Sequence, residues 1–122
     1  MREILFRGKR IDNKEWVYGD LIHCKNNDYR ILEQGNGDWD ILEAGYKVDP
    51  ATIGQFTGIY DKNGKRIFEG DIIEYKTVYE WDKKPIKRAE VVFENGMFGP
   101  AGVIMDLSRS KIIRNIHDEV KP

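Results

Sequence analysis

Short apolar-rich runs separated by turn-forming residues make up most of this chain. The breaks fall at Asp12-Asn13, Asn26-Asn27-Asp28, Gly35-Asn36-Gly37-Asp38, Asn63-Gly64, Lys84-Pro85 and Asn95-Gly96. Gly, Asn, Asp and Pro supply the backbone angles and local hydrogen bonds of turns, so the intervening runs read as strands. No run keeps a helical period. Two short helical candidates stand out: a turn after Asp49-Pro50, where Pro suits the first helical position, and a segment near Met105 to Ser110. The apolar residues point the same way, with 15 Ile and 7 Val against 5 Leu and 4 Ala. β-Branched side chains lose χ1 freedom in helices and pack well on a pleated surface.

The densest pattern, "TIGQFTGIYDKNGKRIFEGDIIEYK" from Thr52 to Lys76, predicts a hairpin. Asn63-Gly64 supplies the positive φ that a tight turn demands, and Ile67 and Phe68 begin the return strand. Gly70-Asp71 then interrupts the strand before Ile72-Ile73, a pattern that predicts a bulge or bend fixed by Asp71. A related unit lies near the N-terminus. Phe6, Gly8, Asn13, Trp16, Gly19, Asp20, Leu21 and Ile22 align with Phe56, Gly58, Asn63, Ile67, Gly70, Asp71, Ile72 and Ile73, with one residue inserted in the second hairpin loop. "ILEQGNG" from Ile31 and "VFENGMF" from Val92 continue the match. Two copies are too few for a solenoid. The expectation is therefore one mainly-β domain over residues 1–122, a small barrel-like or two-sheet domain with partial internal duplication over about 4–35 and 54–96. Gly19 and Gly70 are expected at equivalent bends.

Composition bounds what such a domain does. The 122 residues suffice for one self-sufficient core, so neither a staple nor a metal is required. With 20 Lys plus Arg against 21 Asp plus Glu, any polyanion or membrane binding needs a local patch. Cys24 is the only cysteine, which excludes an internal disulfide and fits a reducing compartment. The apolar run in "MREILFRGKR" is too short for a signal peptide, and no stretch approaches membrane-spanning length. A cytoplasmic protein is expected.

"IGQFTGIYDKNGKRIFEGDII" resembles the central signature of the YopX family, small proteins found mainly in bacteriophages and prophages. Phe6-Arg7 followed by Trp16-Val17-Tyr18-Gly19-Asp20 resembles the opening of that family, and Ile113-Arg114-Asn115-Ile116-His117 its closing strand. Gly8-Lys9, Arg114 and the tail Glu119-Val120-Lys121-Pro122 depart from the pattern. The resemblance implies a β-rich phage or prophage protein and brings no catalytic residues with it.

Each constellation that could carry chemistry has a structural counter-reading. Asp20 and Asp71, equivalent in the two repeats, could form a paired-aspartate site, but each follows a Gly and precedes two aliphatics, the context of a bend cap. His23, Cys24 and His117 offer at most three soft ligands, two of them adjacent and therefore on opposite faces of a strand, so neither a zinc site nor a thiol nucleophile is expected. No phosphate-binding glycine loop occurs. The feature closest to a binding site is "YKTVYEWDKKPIKRAE", which interleaves Tyr75, Tyr79 and Trp81 with Lys76, Lys83, Lys84, Lys87 and Arg88. Aromatics among cations can stack bases and pair phosphates, whereas Glu74, Glu80, Asp82 and Glu90 dilute the positive field. Tyr75, Tyr79, Trp81, Lys83, Lys84, Lys87 and Arg88 are the binding candidates. No catalytic residue, metal or cofactor is assigned. The expectation is a non-catalytic phage or prophage interaction module, with a single-stranded nucleic-acid accessory protein and a paired-aspartate enzyme as alternatives. Aromatics beside turns, Trp39, Trp81 and Phe98, further suggest self-association through apolar sheet surface.

Overall fold

The computed structural model describes residues 3–33, 45–76, 81, 83–94, 96–99 and 107–118. The chain divides into two compact units, Met1–Phe56 and Thr57–Pro122. The first contains β1 (Phe6–Lys9), β2 (Trp16–His23), β3 (Tyr29–Leu32), β4 (Tyr46–Val48) and the start of β5 (Gly54–Tyr60), hydrogen-bonded in the order β4-β3-β2-β1-β5. All pairs are antiparallel, including β1 with β5, which are distant in the sequence. Alternation along the strands puts Phe6, Val17, Leu21, Ile31, Tyr29, Tyr46 and Val48 in one cluster, joined by Ile53. Gly8 keeps that cluster close, since a Cβ there would stand 3.1 Å from the Cβ of Val48.

Beyond the ladder with β3, β4 makes a second set of bonds. Arg10 and Val48 form an antiparallel bridge, Asp49 N donates to Lys9 O at 2.9 Å and Ile11 N to Lys47 O at 3.1 Å. Pro50–Thr52 is one turn of 3-10 helix, with Asp49 at its N-cap accepting from Ala51 N. Thr52 Oγ1 then accepts from Lys9 N at 2.8 Å. Only a short turn forms at the Asp49-Pro50 signal because the chain is extended again at Ile53.

In the second unit β5 continues and β6 (Arg66–Phe68) pairs with it; β7 (Asp71–Lys76), β8 (Ile86–Glu90) and β11 (Lys111–Asn115) form a sheet in the order β11-β7-β8, and β9 (Val92–Glu94) pairs with β10 (Met97–Gly99). Ile67, Ile73, Val91 and Leu107, with Ile112 against them, make its core. A second 3-10 turn at Leu107–Arg109 falls within the other helical candidate segment. The fold is thus mainly β with three sheets, and among the described residues no sheet closes into a barrel.

The two hairpins behind the proposed duplication are both present. Arg10 N donates to Glu15 O in the first loop and Asp61 N to Lys65 O in the second. The residue after each Asn takes positive φ, Lys14 at 59° and Gly64 at 80°. The glycines do not correspond. Gly19 lies inside the uninterrupted β2, opposite Phe6, whereas Gly70 forms a turn at φ 88° between β6 and β7. The expectation of equivalent bends is therefore corrected: Gly19 is needed for close approach, because a Cβ there would lie 2.0 Å from Leu32 O, while Gly70 is needed for its backbone angle. The aspartates that follow diverge with them, Asp20 being exposed and Asp71 buried.

Two buried carboxylates, Asp71 and Asp61, hold turns of the second unit. Asp71 Oδ2 accepts from Phe68 N at 2.8 Å and so spans the Gly70 turn. Asp61 Oδ1 accepts from Asn63 N and Lys65 N at 2.8 and 2.9 Å, and its Oδ2 accepts from Ile112 N at 3.1 Å. Burial by itself raises the Asp61 pKa, but the Lys65, Ile112 and Asn63 N–H donors outweigh it and hold the carboxyl below its ordinary value.

Two outcomes follow. Gly19→Ala should lose at least about 2 kcal/mol, because backbone must move, whereas Gly64→Ala, open around its Cβ, should lose about 1 kcal/mol from its φ alone; urea midpoints measure both. The second concerns acid. Asp61 has a folded pKa below the reference of 3.8, so its stabilisation is fully present above that value and is lost as pH falls below it, through the lower folded-state pKa. Asp61→Asn should cost about 1 to 3 kcal/mol at neutral pH. That gap should shrink once pH drops below the reference, and a gap constant down to the acid limit would contradict the assignment.

Candidate binding surface

Strand register decides which of the aromatic and basic residues between Tyr75 and Glu90 can act together. Against β7, Lys87 lies opposite Tyr75 and Arg88 opposite Glu74, with Ile86 opposite Lys76 and Glu90 opposite Ile72. Side chains alternate, so Tyr75 and Lys87 share the core side with Ile73, and Glu74, Lys76, Ile86, Arg88 and Glu90 share the other. Tyr75 is 9% exposed, and burial pushes its hydroxyl pKa up. It is a core side chain, withdrawn from any stacking surface. Lys87 is half-buried beside it. Trp81 is 77% exposed on the connection between β7 and β8, where Lys83 and Lys84 are exposed as well. Tyr79 lies outside the described residues. Arg88 Nε sits 3.3 Å from Glu74 Oε2, a surface pair.

The other edge of β7 adds two cations that reading the sequence missed. Lys111 of β11 lies opposite Glu74 and Arg114 opposite Ile72. The outward face of the sheet therefore carries the rows Arg114–Ile72–Glu90, Lys111–Glu74–Arg88 and Lys76–Ile86. Four cations meet two carboxylates there, and Ile86, opposite Lys76 in the last row, is 64% exposed. A shift of register between Ile112 and Arg114 makes this possible, because a bulge at Ile113 restores Arg114 to the face of Lys111 despite their odd spacing. The spacing in "KIIR" alone gives no sign of it; a regular strand would have put Lys111 and Arg114 on opposite faces.

Asp71, at 2% exposure and bonded to Phe68 N, lines no open cleft, and Asp20 is an exposed residue of β2. His23 stacks on Tyr29 at 4.1 Å, Cys24 N donates to Asp28 O in the β2–β3 turn, and His117 N donates to Asn115 Oδ1. Among the described residues no group of three or more His, Cys, Asp or Glu is placed to hold a metal. A separate apolar feature occurs on β9 and β10, where Phe93 and Met97 are exposed and Phe93 meets Phe98 edge-on at 5.0 Å. Trp39 lies outside the described residues. No helix among the described residues is long and apolar enough to cross a membrane.

Comparison with known proteins bears on ancestry rather than chemistry. No curated protein sequence matches this chain significantly. Among solved structures, the crystal structure of protein EF1440 from Enterococcus faecalis is similar, with a TM-score of 0.58 over 96% of this chain and 95% of that one. At 22% identity this likeness shows the fold alone. The family model described as YopX protein matches residues 5–120, nearly the whole length, and the chain belongs to the YopX family.

Proposed function

We propose that this chain is a non-catalytic binding module of phage or prophage origin, acting in the cytoplasm of a bacterial host through the outward face of the β11-β7-β8 sheet. The observation that carries the reading is the alignment of Lys76, Arg88, Lys111 and Arg114 on one face that also exposes Ile86, with Trp81 at the end of the same hairpin. Exposed aromatic and aliphatic groups beside cations are the usual anchors and rim of a recognition surface. The use of Asp71 as a backbone cap weighs against the paired-aspartate enzyme. The Arg10–Val48 bridge supports a barrel-like curl for the first unit. Capture from infected host cells on the immobilised chain tests the module. At least one component should be held by the wild type and lost by the Ile86→Glu, Arg114→Glu variant, and an identical set on both would overturn the reading.

Self-association is the second part of the proposal, and Phe93 and Phe98 support it. Exposed Phe93, packed edge-on against half-buried Phe98, is apolar surface that a second copy can cover. Light scattering at micromolar concentration should give a dimer mass that Phe93→Ser lowers to the monomer; a monomeric wild type refutes the idea.

A further inference from the structure

We infer that the outward face of the β11-β7-β8 sheet binds single-stranded nucleic acid, an inference that rests on the module reading above and names its partner. Three observations converge. First, the cations occupy three successive rows of one face: Arg114, then Lys111 and Arg88, then Lys76. Rows two residues apart along a strand are separated by about 6.8 Å, so the four charges form a track along β7 rather than a point cluster. Lys83 and Lys84 are exposed on the connection beyond the Lys76–Ile86 row, whose sequence also holds Glu80 and Asp82.

Second, the acidic residues do not cancel the track. Glu74 lies between Lys111 and Arg88 in the register and pairs with Arg88, and Glu90 at one end is the other carboxylate of the face among the described residues, so four cations face two carboxylates. Asp61 and Asp71 are buried and committed to backbone N–H groups, so these two acids add little to the field at the surface of this unit. The near-neutral composition of the chain therefore understates the local field, and a polyanion reads the local field.

Third, the track ends in an indole. Trp81 is 77% exposed and lies on the connection between β7 and β8. A flat ring beside lysines matches an unstacked base beside its phosphate, and this feature favours a single strand over a duplex, whose base faces are hidden. An acidic protein segment would use the cations but offers no ring face for the tryptophan. Tyr75 takes no part, being a core residue.

The test is fluorescence anisotropy of labelled oligothymidylate with the full chain. Affinity should fall steeply with salt, with a slope of about −0.7 for each phosphate contact. Lys111→Glu with Arg114→Glu should weaken binding at least about ten-fold and flatten the slope by about 1.4. Trp81→Ser should weaken it about ten-fold while leaving the salt slope in place, since stacking releases no counterions. Glu74→Gln and Glu90→Gln should strengthen it, an effect that a misfolded variant cannot mimic. No binding at low salt, or binding indifferent to all four charge changes, overturns the inference. Equal affinity for a duplex of the same length overturns the single-strand assignment, and full displacement by polyglutamate at matched charge overturns it in favour of an acidic protein. Loss of oligonucleotide binding alongside retained, face-dependent capture of a protein would sink this inference and spare the module; loss of both would sink both.

Discussion

Backbone N–H groups inside a small β unit must find acceptors, and in the second unit the buried carboxylates of Asp61 and Asp71 supply them where no ladder can. Asp61 is the more consequential. Its two oxygens serve Asn63 and Lys65 in its own turn and Ile112, which lies 51 residues further along the chain. An unpaired buried N–H costs about 1 to 3 kcal/mol, so losing this side chain would strand donors in two separate segments. Lys62 N, donating to Ser110 O, adds a second tie at the same place. The start of β11 is thereby pinned to the β5–β6 turn, and the register of β11 on β7 depends on that anchor.

The candidate surface inherits its geometry from this arrangement. Lys111 and Arg114 reach the outward face only because β11 is held in register and bulges at Ile113. The Gly70 turn fixes the other partner. Its N–H donates to Val91 O, its carbonyl accepts from Ile116 N, and Asp71 spans it to Phe68. Strands β7, β8 and β11 leave that turn region with their alternation set, Ile73 and Val91 inward and Glu74, Arg88 and Lys111 outward. The same carboxylate chemistry that pairs of aspartates use in catalysis here builds the outward face of this sheet.

The internal resemblance between the two hairpins has a physical limit. Both loops place a positive φ directly after an Asn, one with Lys14 and one with Gly64. Beyond the loops the copies part, because Gly19 serves a strand that runs straight past Leu32 and Gly70 serves a turn. Identical residue types answer two different steric demands. Membership of the YopX family and the fold shared with the Enterococcus faecalis protein concern the chain as a whole and are indifferent to this local divergence.

Local physics carried the reading of this protein as far as local physics reaches. The β-branched composition, the Asn-Gly turn at Asn63 and the Pro at position 50 each act on neighbouring residues, and the strands, the hairpin and the 3-10 turn follow from them. The capping role of Asp71 was legible for the same reason, its partner Phe68 being three residues away. What the chain order could not reveal depends on contacts between distant segments. Tyr75 and Lys87 face the core while Arg88 faces out, and only their pairing register says so. Lys111 and Arg114 join Arg88 through a bulge that no spacing rule announces. Gly19 looked like a bend because a glycine in a strand signals either backbone freedom or close approach, and the carbonyl of Leu32, brought over it by the tertiary fold, decided for close approach.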